Sequence, residues 1–215
     1  MKKTKNLFIA IGLLVAFLLW TVLLGFVDVR NIGPESSSVG FATVNGFVHE
    51  LVGVNMTLYT ITDWLGMVPI AFALGFAVLG LVQLIKRRSL WAVDKSILVL
   101  GVFYTVVMAV FLLFEFIALN YRPVLIDGRL EASYPSSTTL LVLCVMPTSA
   151  MQLRERIKNK ALGRCVILVI AVFTLFTVFG RILSGVHWIT DILGGTMLSS
   201  GLVMLYSYSV FVLRE

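Results

Sequence analysis

The stretch Gly180–Gly195 reads GRILSGVHWITDILGG and sets Arg181, His187 and Asp191 into an otherwise oily part of the chain. Two further polar clusters precede it, NYRP at residues 120–123 and YPSSTT at residues 134–139. Arg122 and Arg181 each carry a planar fork of donors suited to the paired oxygens of a phosphate. Ser136 and Ser137 follow Pro135 where a helix should begin, so their hydroxyls and the free N–H groups of the first turn make an anion seat. His187 and Asp191 are four apart and would share a helical face. A carboxylate within reach of one ring nitrogen leaves the other nucleophilic. Arginines, an anion seat and a histidine–carboxylate pair together describe phosphoryl transfer through a covalent intermediate.

The elements that must position these groups are membrane helices. The 215 residues are 59% hydrophobic and only 13% charged, too oily for a water-soluble domain. Apolar runs at Leu7–Val27, Trp64–Ile85, Ser96–Leu119, Leu162–Phe179 and Ile192–Leu213 are long enough to cross a hydrocarbon core of roughly 30 Å. Leu140–Leu153 reaches spanning length when Ser137–Thr139 is added. The expectation is an all-α polytopic protein of about six transmembrane helices. MKKTK followed by the first run resembles a signal peptide, but the run is too long and ends in bulky residues, so a retained span is expected.

Charge distribution fixes the expected orientation. With the termini in the cytoplasm, the inner segments hold Lys2, Lys3, Lys5, Lys86, Arg87, Arg88, Lys95, Arg154, Arg156, Lys158, Lys160, Arg164 and Arg214, leaving outside only Arg30, Arg122, Arg129 and Arg181. This is the positive-inside bias, and it accounts for the net charge of +6 without a nucleic-acid partner. The same topology delivers NYRP, YPSSTT and GRILSGVHWITD to one outer face, an argument that makes no use of their chemistry. Arg30 and Arg129 read as headgroup contacts, and His49, in FVHE, as a surface residue. Cys144 and Cys165 read as small buried thiols. GPESSSVG, residues 33–40, reads as a loop, and Phe41–Asp63 as an amphipathic or re-entrant piece at the outer surface.

The pattern resembles the type 2 phosphatidic acid phosphatase superfamily of integral membrane lipid phosphatases. Its motifs are Lys-x6-Arg-Pro, Pro-Ser-Gly-His and Ser-Arg-x5-His-x3-Asp. The third stands here as Gly180-Arg181-x5-His187-x3-Asp191, the first as Arg122-Pro123 and the second as Pro135-Ser136-Ser137-Thr138. The resemblance covers roughly residues 96–213, and divides the chain into an N-terminal pair of spans, 1–95, and a four-span catalytic core, 96–215, within one membrane domain. It implies that His187 attacks phosphorus, that Asp191 orients it, that Arg122, Arg181 and Ser136 bind phosphate oxygens, and that no metal or other cofactor takes part.

Three positions depart from the family pattern: Glu115 for the first-motif lysine, Thr138 for the second-motif histidine that protonates the leaving group, and Gly180 for the third-motif serine. Seven helical residues cover about 10 Å, so Glu115 is expected to brace Arg122 or Arg181. General acid catalysis contributes about 10²–10⁴-fold, and Thr138 cannot supply it. A lipid diphosphate, whose leaving group is itself a phosphate, tolerates that loss better than a monoester; otherwise His49 or water supplies the acid. The expected function is therefore a lipid (di)phosphate phosphatase of a plasma membrane, bacterial in character, facing outward, with a polyprenyl diphosphate as one substrate. The alternatives are a lipid phosphotransferase, in which another hydroxyl replaces water, and a decayed phosphatase that only binds anionic lipid. A transporter is disfavoured because the ionisable groups gather at one face and not at mid-membrane.

Overall fold

The computed structural model describes residues 2–213, with side chains from Asn6 onward. The side chains of Lys2, Lys3 and Lys5, and Arg214 as a whole, lie outside the described residues. The described chain is helical, with only isolated bridges besides. The helices are α1 (Lys2–Leu24), α2 (Ala42–Val52), α3 (Met56–Leu65), α4 (Met67–Arg87), α5 (Lys95–Phe116), α6 (Ser137–Arg156), α7 (Lys160–Leu183) and α8 (Ile189–Val212). Polar caps start two of them. Asn55 accepts from Leu58 N at 2.9 Å, and Asn159 from Ala161 N and Leu162 N at 2.9 and 3.1 Å, satisfying N–H groups that a first turn leaves open.

Five described helical stretches are long and apolar enough to cross a bilayer: Asn6–Leu24, Met56–Arg87, Lys95–Phe116, Lys160–Leu183 and Ile189–Val212. The expected fourth span, α6, is not among them, because it is the polar helix of the bundle. It packs against α4, α5, α7 and α8, and its Thr148, Ser149 and Gln152 are buried among them. Tyr104 of α5 meets Thr148 Oγ1 at 3.1 Å, and Gln152 donates to Tyr206 of α8. A helix surrounded by helices meets little lipid, so its polar groups find protein partners and its composition need not be oily.

Close approach of α8 to its neighbours depends on small residues. At Gly194 an added Cβ would lie 2.5 Å from the Tyr134 ring, and at Gly201 2.8 Å from Leu14 of α1. Tyr134 is held in place: its hydroxyl meets Thr21 Oγ1 at 2.7 Å, and its ring packs against those of Phe17 and Phe114, which also touch each other. Trp20 of α1 adds a bond to the Thr190 carbonyl at 3.2 Å. The first helix thus steadies both chain segments that carry the polar motifs.

Phe41–Asp63 resolves into α2 and α3. On α2, Val44, Phe47 and Leu51 form an exposed apolar stripe, while Asn45 is buried and bonds Gly40 and Thr190. Cys144 is buried, but Cys165, near the start of α7, is exposed; α7 shows neighbours only part of its circumference, and this thiol lies on the other side. Gly194→Ala is expected to destabilise by about 1–3 kcal/mol through overpacking, lowering the thermal midpoint in detergent by several degrees. Gly75→Ala, with nothing within 4 Å of the new methyl, should leave the midpoint unchanged.

Candidate active site

The site begins where α5 stops. After Phe116 the chain turns into a hairpin whose tip, Asp127–Gly128, has positive φ at both residues, 48° and 72°, the two-residue turn that Asp-Gly favours. Ile126 and Arg129 exchange backbone bonds at 3.1 and 2.9 Å, Arg122 N donates to Glu131 O at 3.0 Å, and Ser133 N to Asn120 O at 2.9 Å. This register sets Arg122 opposite Glu131 and Asn120 opposite Ser133. Three residues on, Ser136 N donates to Asp191 O at 3.1 Å, tying the start of α6 to the first turn of α8.

The two arginines come together on one aromatic face. Their Cζ atoms lie 4.9 Å (Arg181) and 5.5 Å (Arg122) from the Tyr59 ring centroid, a cation–π arrangement supplied by α3. Arg181 is 1% exposed and Arg122 7%. Arg181 Nη2 donates to Thr138 Oγ1 at 2.8 Å and to Asp63 Oδ1 at 3.2 Å, and Nη1 reaches Thr62 Oγ1 at 3.5 Å. Arg122 Nε lies 3.1 Å from Glu131 Oε2 but out of hydrogen-bond alignment. The Nε atoms of both guanidinium groups are buried donors without a hydrogen-bond partner.

His187 closes the group. Its Nε2 is 3.4 Å from Arg122 Nη1, and its Nδ1 is 3.1 Å from Ser133 Oγ. An arginine can only donate, so Nε2 faces it as the acceptor and Nδ1 carries the proton. Burial pushes the imidazole well below its ordinary value of 6.5, the charges of Arg122 and Arg181 push it further, and a hydrogen bond from the ring to the Ser133 backbone carbonyl opposes them. A neutral ring with a bare nitrogen beside guanidinium donors is what a nucleophile toward phosphorus needs.

Asp191 does not share a helical face with His187, as the spacing had suggested. His187 precedes α8, and Asp191 Oδ2 instead accepts from Trp188 N at 3.0 Å, capping the helix start. Its nearest oxygen is 4.0 Å from Nδ1, beyond hydrogen-bond reach. Ser133 fills the interval, donating to Asp191 Oδ2 at 2.5 Å, and Asn120 Nδ2 approaches the other oxygen at 3.3 Å.

Other expected residues are placed differently. Glu115 is exposed and braces neither arginine, because α5 ends one residue later and the two-turn register is lost; Glu131 and Asp63 are the carboxylates that meet them. Ser136 is buried and accepts from Thr139 Oγ1 at 3.0 Å, Pro135 is buried, and Ser137 lines a small cleft with Glu115 and Phe114 on the side toward α5. Neither serine hydroxyl bonds an arginine. His49 is half-buried against the Trp188 ring, 5.5 Å between centroids, with Nδ1 a buried atom lacking a partner. Tyr59, Thr62, Asp63, Glu131 and Ser133 were not singled out from the sequence. The Asp-Gly turn between two alternating segments was the available signal for the last two; no spacing pointed to the first three. Among the described residues no group of three or more His, Cys, Asp or Glu gathers as a metal site.

At one end of the helical bundle, two buried guanidinium groups and a buried histidine thus converge on one tyrosine face. The sequence model of the PAP2 superfamily matches residues 105–215, and the chain belongs to that superfamily. No curated protein matches the chain. The fold is similar to that of a transmembrane PAP2-type phosphatidylglycerolphosphate phosphatase from Bacillus subtilis, with a TM-score of 0.62 at 19% identity over 95% of this chain and 96% of that one. The chain is a multi-pass membrane protein of that fold.

The depressed imidazole has a consequence for stability. The unfolded chain protonates His187 at about 6.5, whereas the folded protein keeps it neutral to lower pH. At this residue the unfolded state therefore binds more protons between those values, and the contribution of His187 to stability falls as pH drops below 6.5 toward the folded value. In thermal unfolding in detergent, the difference in midpoint between the wild type and His187→Gln should shift against the wild type as pH falls from 7.5 to 5.

Proposed function

We propose that this protein is a membrane lipid phosphatase that transfers a phosphoryl group from a lipid phosphate to His187 and then to water. The observation that carries the reading is the convergence of Arg122, Arg181 and the acceptor nitrogen of His187 around Tyr59. The guanidinium donors hold the phosphate oxygens and offset the charge that builds on them as phosphorus is attacked. His187 Nε2 forms the P–N bond while the P–O bond to the lipid breaks, its electron pair leaving with the oxygen. Water then attacks phosphorus, and the pair of the P–N bond returns to the ring. Asp191 acts behind the ring, and Ser136 and Ser137 act through the α6 N-terminus. The family's metal-free chemistry suits this donor set, which offers cations and hydroxyls to the phosphate.

Thr138 accepts from Arg181 at 2.8 Å and cannot protonate a leaving group, which supports a diphosphate such as a polyprenyl diphosphate over a monoester. The positive-inside distribution supports placing the site outside the cytoplasm in a plasma membrane, as one domain to which α3 of the 1–95 half contributes. The phosphatidylglycerolphosphate named for the Bacillus subtilis relative is the monoester to compare. The second reading, an anionic-lipid binder without turnover, is favoured by one observation: Asp63 and Glu131 already stand against the arginines at 3.2 and 3.1 Å.

Phosphate release from a panel of lipid phosphates in detergent decides between them. Turnover is expected to be faster on a polyprenyl diphosphate than on phosphatidylglycerolphosphate. His187→Ala should lower it by about a thousandfold or more, and Arg181→Gln by about a hundredfold. Acid-labile phosphate trapped on His187 supports the enzyme; saturable lipid binding with no trapped phosphate and no release supports the binder.

A further inference from the structure

We infer that Ser133 is the positioning residue through which Asp191 acts on His187, a serine relay that stands where a direct carboxylate–imidazole bond would otherwise be needed. The inference rests on the phosphohistidine reading above. It starts from the gap of 4.0 Å between Asp191 Oδ2 and His187 Nδ1, too long for a hydrogen bond. The Ser133 hydroxyl lies in that gap, 3.1 Å from Nδ1 and 2.5 Å from Oδ2. All three residues are buried, Ser133 at 2% exposure, His187 at 5% and Asp191 at 0%.

The protons at this junction can be assigned. A hydroxyl has one proton and two lone pairs, and a carboxylate only accepts. Ser133 therefore donates to Asp191 and has a lone pair left for Nδ1–H. The backbone carbonyl of Ser133, as an acceptor from the same ring, favours a ring N–H as well. With Nδ1 as donor, Nε2 keeps its lone pair toward Arg122 and phosphorus.

When Nε2 forms the P–N bond, the ring becomes cationic. The Nδ1–H bond polarises toward Ser133 Oγ, and the hydroxyl proton polarises toward Asp191, so the carboxylate stabilises a charge it does not touch. No proton leaves the ring, and none needs to. Asn120 and Trp188 N hold Asp191 at 3.3 and 3.0 Å, and the Asp127–Gly128 hairpin holds Ser133 by its register with Asn120.

The test is a double-mutant cycle on the full-length protein in detergent with a polyprenyl diphosphate as substrate. Ser133→Ala is expected to lower kcat by about tenfold to a hundredfold, the range of a hydrogen bond to a charged group, with KM unchanged; Ser133→Thr, which keeps the hydroxyl, should restore most of it. Asp191→Asn should cost much less in the Ser133→Ala background than in the wild type, because the path between carboxylate and ring is already cut. Additive losses, or a Ser133→Ala protein with wild-type kcat, overturn the relay. A second readout needs no turnover. The chain has two histidines, so 15N-histidine spectra resolve His187, and Asp191→Asn should move its Nδ1 resonance in the wild type but not in Ser133→Ala. Equal movement in both backgrounds overturns the relay whatever the activity; loss of activity reading alone, with the spectral coupling present, sinks the phosphatase and leaves the relay standing.

Discussion

Everything at this end of the bundle follows from burying two guanidinium groups side by side. Arg122 and Arg181 share the face of one tyrosine and are almost wholly withdrawn from water. Like charges at such a separation repel, and burial removes the solvent that would screen them. The fold offsets this with the Tyr59 π-face, the hydroxyls of Thr62 and Thr138, and the half-exposed carboxylates of Asp63 and Glu131. The offset is incomplete, since both Nε–H groups stay without a bonded acceptor. A buried unsatisfied donor is costly, so the cluster carries a standing cost at both guanidinium groups.

The same cations set the state of His187. Their field and the ring's burial keep it neutral, which removes a third positive charge from the cluster and leaves a lone pair on Nε2. Asp191 compensates from behind at a distance, through a hydroxyl. Direct contact would favour protonation of the ring more strongly; an intervening serine moderates that pull while still holding the tautomer. The arrangement is a balance of two cations, one neutral base and one remote anion, and the helices exist to hold those distances. Gly194 lets Tyr134 seat against α8, Tyr134 is anchored to α1 through Thr21, and the Ser136 amide is anchored to Asp191 O.

Much of this could be read from the sequence, and what could not has identifiable causes. The histidine, the aspartate and both arginines stand out because ionisable groups are rare in oily segments, and the topology that the positive-inside bias implies brings them to one face. Glu115 was misplaced because helical spacing was carried past the end of α5. His187 and Asp191 do come together, but not on one helical face, for a related reason: the helix starts between the two residues, and the carboxylate is drawn into capping it. Ser133 and Glu131 depend on the register of a hairpin, where a shift of one residue would turn both away from the site. Tyr59, Thr62 and Asp63 belong to a segment distant in sequence, and only the packing of α3 against α7 brings them in.

That contribution from α3 bears on the departures from the family motifs. Thr138, at the place of the second-motif histidine, and Asp63 of α3 bond the same nitrogen, Arg181 Nη2. Gly180, at the place of the third-motif serine, gives up a hydroxyl, but an added Cβ there would lie 2.6 Å from Thr62 Cγ2. The side chain missing at residue 180 is thus the room that Thr62 needs, and Thr62 reaches Arg181 Nη1 in turn. Glu115 is exposed and pairs with neither arginine, so it stands apart from these two departures. Two of the three departures thus share one neighbour: Thr138 and Gly180 both border the α3 residues, Thr62 and Asp63, that meet Arg181. On the proposed reading, such a site keeps its cations and its nucleophile without a general acid, which fits a substrate whose leaving group departs as a stable anion.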